Sequence, residues 1–166
     1  MRPATPRALP ARHADAMILF TVGESAFAIP ATAVDEIRNA QGLRPIAGSS
    51  IGYRKVSHTF LRGGRTYCVV DGNIHFGILP SKATRLLVLR QSNVSMLVSR
   101  IDRMAEVSGI HALPEAFTGE ERNWYLGLAV LGSGTSEEVV PVVNAEAFLS
   151  RAEAEAVLSA ETGKRE

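Results

Sequence analysis

Cysteine is nearly absent from this chain of 166 residues, since Cys68 is the only one. A lone cysteine excludes an intramolecular disulfide and a cysteine-rich zinc site. Because Cys68 lies inside the apolar run Tyr67–Val70, we expect it to be a small buried hydrophobic side chain. The four histidines are scattered along the chain: His13, His58, His75 and His111. Their spacing is not that of metal ligands and no carboxylate cluster accompanies them, so we predict no metal site.

An excess of one charge is absent as well, because 18 Lys and Arg residues against 17 Asp and Glu residues leave a net charge of +1. This balance supplies no electrostatic footprint for nucleic acid or an anionic membrane surface. No stretch approaches the ~18 consecutive apolar residues of a membrane-spanning helix. Residues 1–16 contain three prolines and three arginines but no apolar signal-peptide core. We expect them to be a disordered tail, residues 161–166 to be a C-terminal tail, and the protein to be cytoplasmic.

Motifs of catalysis give little support for an enzyme. The glycine- and serine-rich stretch Gly48–Gly52 lacks the Gly-Lys-Ser/Thr ending of a phosphate loop, so we interpret it as a loop. We therefore predict a protein with no catalytic residue and no cofactor. A small enzyme that uses Cys68 or His58 is the alternative from another class, and the expected burial of Cys68 argues against it.

Short apolar runs separated by turn residues recur along the chain. Met17–Val22 and Ala26–Ile29 flank a glycine turn and predict a β-hairpin that Pro30 ends. The other predicted strands are 34–37, 53–61, 65–71, 85–89, 94–101, 104–107, 124–131 and 137–143. Strands at this spacing indicate an all-β barrel or sandwich. The stretches between them, 39–52, 72–82 and 108–123, are expected to be irregular.

Helical signals come mainly at the end of the chain. A helical turn is expected at Ala31–Ala33, and Asn144 can cap a short turn that runs through Leu149. Ser150 and Glu153 then form a capping-box pattern, which predicts a helix to about residue 160. The apolar residues that share one face of this segment are Phe148, Leu149, Ala152, Ala156 and Val157. We expect that face to pack on the β-structure.

The stretch Leu61–Gly72 carries the most informative charge. Arg62 ends an apolar strand, and Gly63 and Gly64 supply the positive φ angles that a tight hairpin loop needs. A charged side chain in an apolar strand is costly unless it is paired, and Glu36 is the matching charge on another predicted strand. We predict that Glu36 and Arg62 form an ion pair across adjacent strands near the surface. Two independent, solvated side chains are the alternative.

Several of these segments together resemble the CheW-like domain, the family of chemotaxis coupling proteins. The similar segments are Met17–Gly23, Phe27–Pro30, Val34–Ile37, Leu61–Gly63, Val69–Asp71, Leu126–Ala129 and Val139–Leu149. Each motif is degenerate by itself, but their order and spacing together are specific. The resemblance covers about residues 17–160.

The resemblance implies a mainly β fold of two five-stranded, SH3-like β-barrel subdomains packed side by side with a C-terminal helical segment. The CheW-like domain would occupy residues 17–160, with the second barrel mainly at about residues 85–143. It also implies a non-catalytic adaptor that couples chemoreceptors to the histidine kinase CheA. The 166 residues leave no room for an ATP-binding or receiver domain, which favours a stand-alone adaptor without membrane insertion.

The resemblance further implies where the partners bind. The cytoplasmic tip of a methyl-accepting chemoreceptor would dock near the groove between the barrels, at Val34, Glu36, Leu61, Arg62 and Gly63. The regulatory domain of CheA would contact the second half of the chain, from about residue 85 to residue 131. An apolar face with a polar rim suits such a contact.

This chain also departs from the family pattern around the receptor-facing hairpin. The residues that differ from the usual ones are Ser57, Phe60, Cys68, Gly72 and Ser99, and Gly64 is an extra residue in the turn. An alternative function follows from these changes. The protein would then be a divergent scaffold, in a non-flagellar or other signalling complex, that has lost receptor binding.

Overall fold

Strands dominate the computed structural model, which describes residues 15–46, 55–132 and 137–163. Within these ranges the strands are β1 (Asp15–Val22), β2 (Ser25–Pro30), β3 (Val34–Asn39), β4 (Arg44–Pro45), β5 (Val56–Arg62), β6 (Arg65–Asp71), β7 (Arg85–Leu89), β8 (Val94–Val98), β9 (Arg100–Val107), β10 (Ile110–His111), β11 (Tyr125–Leu131) and β12 (Glu138–Val143). The two α-helices there are α1 (Gly72–Phe76) and α2 (Arg151–Gly163). The mainly β fold class is confirmed.

The strands form two six-stranded mixed sheets. Sheet I has the order β10-β11-β12-β2-β1-β9, and sheet II has the order β3-β7-β8-β6-β5-β4. Within each sheet one neighbouring pair is parallel, β12 with β2 and β6 with β8, and the other pairs are antiparallel. Neither sheet closes into a barrel through pairing of the described strands, so each predicted five-stranded barrel is an open six-stranded sheet.

The two sheets are interleaved along the sequence, which corrects the expected subdomain boundary. β1 and β2 pair with strands from the last third of the chain, while β7 and β8 belong to sheet II. The second subdomain is therefore not a continuous block at about residues 85–143. A local pattern could not show this, because the same apolar alternation satisfies many pairings.

Alternating residues of the strands fill three apolar cores. In β1, Ile18, Phe20 and Val22 face a central core between the sheets, whereas Met17 and Leu19 face a core of sheet I. In sheet II the same alternation sends Cys68, Val70, Leu87 and Leu89 to the central core and Tyr67, Val69, Leu86 and Val88 to its own core. Because both faces of these strands are buried, they read as nearly continuous apolar runs in the sequence.

The connectors contain more structure than the sequence predicts. The stretch expected to be irregular at 72–82 begins with α1, whose first turn is capped by the Asp71 side chain and whose end is the left-handed Gly77. The expected strand 94–101 breaks at Ser99, and β9 runs on without a break through Met104. Residues 108–123 include the short strand β10 and the start of a 3₁₀ turn at Gly119–Trp124.

The predicted C-terminal helix is confirmed. Ser150 Oγ accepts a hydrogen bond from the Glu153 backbone N–H at 3.1 Å, and Glu153 Oε1 accepts one from the Ser150 N–H at 3.3 Å, so the capping box forms. Val157 of the expected face is buried in the central core, but Ala152 is exposed and Ala154 is buried instead. The helix therefore packs against the central core between the two sheets. Its last described residue is Gly163.

Candidate functional site: the surface around Arg62

A tight turn fixes the position of Arg62. β5 and β6 are joined by Gly63 and Gly64, and Arg62 pairs directly with Arg65 across the turn. The two glycines have φ angles of 57° and 78°, which is the left-handed conformation that a two-residue hairpin loop of type I′ requires. Arg62 is thus the last residue of a strand whose end cannot shift without remaking the turn.

The guanidinium group of Arg62 donates hydrogen bonds to three side chains. Nε donates to Glu36 Oε2 at 2.8 Å, Nη2 to Asp35 Oδ2 at 2.6 Å, and Nη1 to the Tyr67 hydroxyl at 3.0 Å. Its Cζ also lies 5.6 Å from the centroid of the Tyr67 ring. These bonds, with that to Glu36 the largest contribution, raise the pKa of Arg62 above its ordinary value. Arg62 is a permanently charged and well-oriented group at the surface.

The structure brings together the two residues that the sequence pairs, but not on adjacent strands. In sheet II the strands β7, β8 and β6 lie between β3, which carries Glu36, and β5, which carries Arg62. The expectation of neighbouring strands is therefore wrong. Arg62 instead links two strands that no backbone ladder joins, so its side chain ties the first strand of the sheet to the β5–β6 hairpin.

A bulge in β3 explains why two consecutive acidic residues reach one guanidinium. The register of β3 with β7 shifts between Val34 and Glu36, which leaves Asp35 without a paired residue on β7. In a regular strand neighbouring side chains point to opposite faces, and a bulge removes that alternation locally. Asp35 and Glu36 can then bind the same cation. Regular alternation along β3 would put Asp35 and Glu36 on opposite faces, so the sequence pattern indicates only Glu36 as the partner of Arg62.

A second arginine, Arg90, binds the backbone on the N-terminal side of Asp35 and lies close to the Asp35 carboxylate. Arg90 donates from Nε to the Thr32 carbonyl and from Nη2 to the Val34 carbonyl, both at 3.1 Å. Its Nη1 lies 3.7 Å from Asp35 Oδ1. Arg90 follows β7, the strand that pairs with β3, so its contact with Asp35 depends on the order of strands in the sheet. No sequence pattern predicts this contact or the hydrogen bond from Arg62 to the Tyr67 hydroxyl.

The predicted receptor-side residues have different exposures. Leu61 is 69% exposed, Gly63 is exposed, and the side chains of Glu36 and Arg62 are 40% and 28% exposed. Val34 is buried at 6%, so its side chain supports β3 and is not available at the surface. We use the term Arg62 surface for Asp35, Glu36, Leu61, Arg62 and Gly63. Arg62 and its two carboxylates form a fixed charged cluster, and Leu61 projects from the opposite face of β5 at the same end of the hairpin.

The residues that depart from the family pattern lie mostly inside the protein. Phe60 is 5% exposed and stacks on Tyr67, and Cys68 is fully buried. Ser57 is half-buried with its hydroxyl 2.7 Å from His58 Nδ1. At Gly72 an added Cβ would lie only 2.7 Å from the Leu97 carbonyl oxygen, so this close approach requires glycine. Among these residues, Phe60 packs on a hydrogen-bond partner of Arg62, whereas Cys68 faces the central core.

Chemistry at Cys68 is not supported by its surroundings. Burial raises the pKa of the Cys68 thiol to about 11, so the reactive thiolate is scarce at neutral pH. The stretch Gly48–Gly52 lies outside the described residues. Its sequence fits the Gly-x-Ser-x-Gly pattern of a nucleophile elbow. A nucleophile elbow joins a strand to a following helix, whereas the next described element here is the strand β5, so the context of that motif is missing.

Two further classes of site find no support in the described ranges. No group of three or more His, Cys, Asp and Glu side chains there is arranged to hold a metal ion. None of the helices there has both the length and the apolar character needed to cross a bilayer.

The fixed charged cluster of Arg62, Asp35 and Glu36 thus lies at the end of the β5–β6 hairpin of a two-sheet β-domain. A profile of the CheW-like domain matches residues 16–153, and the chain belongs to the CheW-like domain family. This is a family of non-catalytic scaffold proteins of chemotaxis-type signal transduction.

The fold has a counterpart among solved structures. The scaffolding protein TtCheW from Thermoanaerobacter tengcongensis has a similar fold, with a TM-score of 0.67 and 11% sequence identity. The similarity covers 86% of this chain and 97% of that chain. At this identity the likeness concerns the fold alone. The search of curated proteins finds no match.

Proposed function

We propose that this protein is a cytoplasmic coupling adaptor that links the tips of methyl-accepting chemoreceptors to the regulatory domain of the histidine kinase CheA. It would act at the inner face of the membrane through receptor arrays, without inserting into the membrane and without catalysing a reaction. The observation that carries the proposal is the Arg62 surface, in a chain that belongs to the CheW-like domain family.

The Arg62 surface suits the receptor side for a physical reason. An arginine held by three hydrogen bonds loses little conformational entropy when a partner binds, because its position is already fixed. Leu61, on the opposite face of β5, offers exposed apolar area that a partner reaching around the end of the hairpin can cover. Glu36, Leu61, Arg62 and Gly63 would contact the receptor, and buried Val34 would hold β3 in place.

The kinase side is proposed for residues 85–131. This range includes β7 and β8 of sheet II and β9 to β11 of sheet I, so it is not one continuous face. Two large apolar side chains in it are exposed, Met104 at 57% and Leu126 at 50%, and both lie on sheet I. We therefore place the apolar centre of the kinase contact on sheet I.

The experiment is a pull-down of the full chain against the CheA regulatory domain and a chemoreceptor cytoplasmic tip, each tested separately. Arg62→Ala is compared with Arg103→Ala, a matched loss of an exposed arginine from β9 of sheet I. We expect the wild-type protein to bind both partners. Arg62→Ala should lose the receptor and keep the kinase, and Arg103→Ala should keep the receptor.

The other results are informative in different ways. Binding to the kinase alone would favour the alternative of a divergent scaffold that has lost receptor binding. Binding to neither partner would refute the adaptor proposal. Loss of kinase binding in Met104→Glu, with receptor binding intact, would place the kinase contact on sheet I.

A further inference from the structure

The side chain of Arg90 lies at the end of β7, against the start of β3. Its backbone N–H donates to the Ala33 carbonyl at 2.9 Å. Its Nε donates to the Thr32 carbonyl and its Nη2 to the Val34 carbonyl, both at 3.1 Å. One residue therefore binds three consecutive carbonyls, at the point where the 3₁₀ turn Ala31–Ala33 passes into β3.

These bonds fix the direction of the Arg90 guanidinium group. A guanidinium is planar and its N–H donors have a set geometry, so bonds from two of its nitrogens restrict the whole group. The third nitrogen, Nη1, then lies 3.7 Å from Asp35 Oδ1. Because this distance is too long for a hydrogen bond, Arg90 attracts the Asp35 carboxylate through its charge.

The Asp35 carboxylate is bound by Arg62 through its other oxygen. Oδ2 accepts from Arg62 Nη2 at 2.6 Å, while Oδ1 is the oxygen close to Arg90. The bulge in β3 leaves Asp35 without a paired residue on β7, so cross-strand pairing does little to orient this side chain. The two arginines therefore determine where the carboxylate lies.

A direct contact between Arg90 and a partner is the competing role, because its side chain is 51% exposed. Its nitrogens already serve the Thr32 and Val34 carbonyls and the Asp35 carboxylate. A partner would have to share these nitrogens, whereas Arg62 needs Asp35 as it stands. The contacts thus favour a role of Arg90 within the protein, exerted through Asp35.

We propose that Arg90 is a positioning residue for Arg62. The carbonyls at the start of β3 fix Arg90, Arg90 holds the Asp35 carboxylate, and Asp35 with Glu36 holds Arg62 in the orientation that a partner meets. This inference deepens the proposed function and rests on it, because the partner is the chemoreceptor tip. It adds a residue that strengthens receptor binding without touching the receptor.

The first measurement uses the protein alone and follows rotation about the Nε–Cζ bond of Arg62 by NMR of its guanidinium nitrogens. This rotation must break the bonds from Nη1 to Tyr67 and from Nη2 to Asp35, so its rate reports how firmly Asp35 is held. Since an exposed ion pair is of modest strength, we expect Arg90→Gln to raise the rate about threefold. Arg100→Gln, which removes a surface ion pair from β9 of sheet I, should stay within about 1.5-fold of wild type.

The second measurement is calorimetric titration of each full-length variant with a chemoreceptor tip fragment. Arg90→Gln should weaken binding about threefold, and Arg100→Gln should again stay within about 1.5-fold of wild type. A double-mutant cycle with Asp35→Asn tests the route. Because Arg90 acts through Asp35, adding Arg90→Gln to the Asp35→Asn protein should weaken binding by less than about 1.5-fold.

Each outcome bears on one claim. An unchanged rotation rate in Arg90→Gln would refute the positioning role, and a faster rotation with unchanged receptor affinity would refute its effect on binding. The same loss from Arg90→Gln with and without Asp35→Asn would mean that Arg90 contacts the receptor itself, which also overturns the inference. If the tip does not bind the wild-type protein, the proposed function fails, and the rotation rate alone decides whether Arg90 positions Arg62.

Discussion

Replacing His75 tests how the aromatic region between the sheets is held together. His75 lies in α1 with 4% of its surface exposed, and its ring contacts those of Phe76, Trp124 and Phe148 at centroid distances of 4.7, 5.1 and 5.3 Å. No group in the described ranges bonds its Nε2. Burial, with a smaller effect of the Lys55 charge, lowers the pKa of His75 from 6.5 to about 4.

This shift makes stability depend on pH in a defined window. Between about pH 4 and pH 6.5 the unfolded chain binds a proton at His75 that the folded chain does not, so the free energy of unfolding falls as pH falls through this range. From about pH 7.5 to about pH 5 the loss is about 2 kcal/mol. That is a large part of the total for a domain with typical marginal stability.

The assay is urea unfolding at about pH 7.5 and about pH 5, followed by the fluorescence of Trp124, the only tryptophan. We expect His75→Phe to reduce the difference between the two pH values to about 0.5 kcal/mol or less, because the aromatic contacts remain and the proton site is gone. His111→Phe, at an exposed histidine, should keep the wild-type difference. If His75→Phe retains the full difference, His75 is not the group responsible and the reasoning from its burial is refuted.

Three further predictions follow from the packing and the charges. Exchanging the charges in Glu36→Arg with Arg62→Glu should restore part of the receptor binding that either single change loses, as measured by pull-down. Gly72→Ala should lower the free energy of unfolding by about 1–3 kcal/mol in denaturant unfolding, because its Cβ would press on the Leu97 carbonyl. Cys68 should react with a thiol reagent only after unfolding, because it is fully buried and its pKa is raised to about 11.

Each of these has a result that contradicts it. No restoration by the exchanged pair would mean that Arg62 acts independently of Glu36, for example through Asp35 alone. Gly109→Ala is the control for Gly72, since an added Cβ there meets no atom within 4 Å, and equal effects of the two changes would exclude the close approach as the cause. Rapid labelling of Cys68 in the folded protein would contradict its burial.

Much of the local structure could be predicted because it depends on neighbouring residues. The β5–β6 turn follows from Gly63 and Gly64, whose positive φ angles few other residues tolerate. The start of α2 follows from the Ser150 and Glu153 capping box. The sequence does not predict α1, although Asp71 and Gly77 are recognisable caps, because five residues are too few for a helical apolar period.

The site could be predicted only in part. Charge in an apolar strand singles out Glu36 and Arg62, and their contact at 2.8 Å lies between strands that are not neighbours. Asp35 joins them through a bulge, and Arg90 and Tyr67 join them through the order of the sheet. None of these three contacts has a signature in the spacing of residues along the chain.

The sequence by itself determined the longer strands, the β5–β6 turn, the C-terminal helix and the charges of Glu36 and Arg62, since these depend on side chains a few positions apart. Only the tertiary structure decided which strands pair, because β2 with β12 and β6 with β8 join residues that are distant in sequence. That pairing interleaves the two sheets and buries both faces of β1, β6, β7 and β8 over most of their length. It also sets Arg62 against Asp35 and Glu36 of β3.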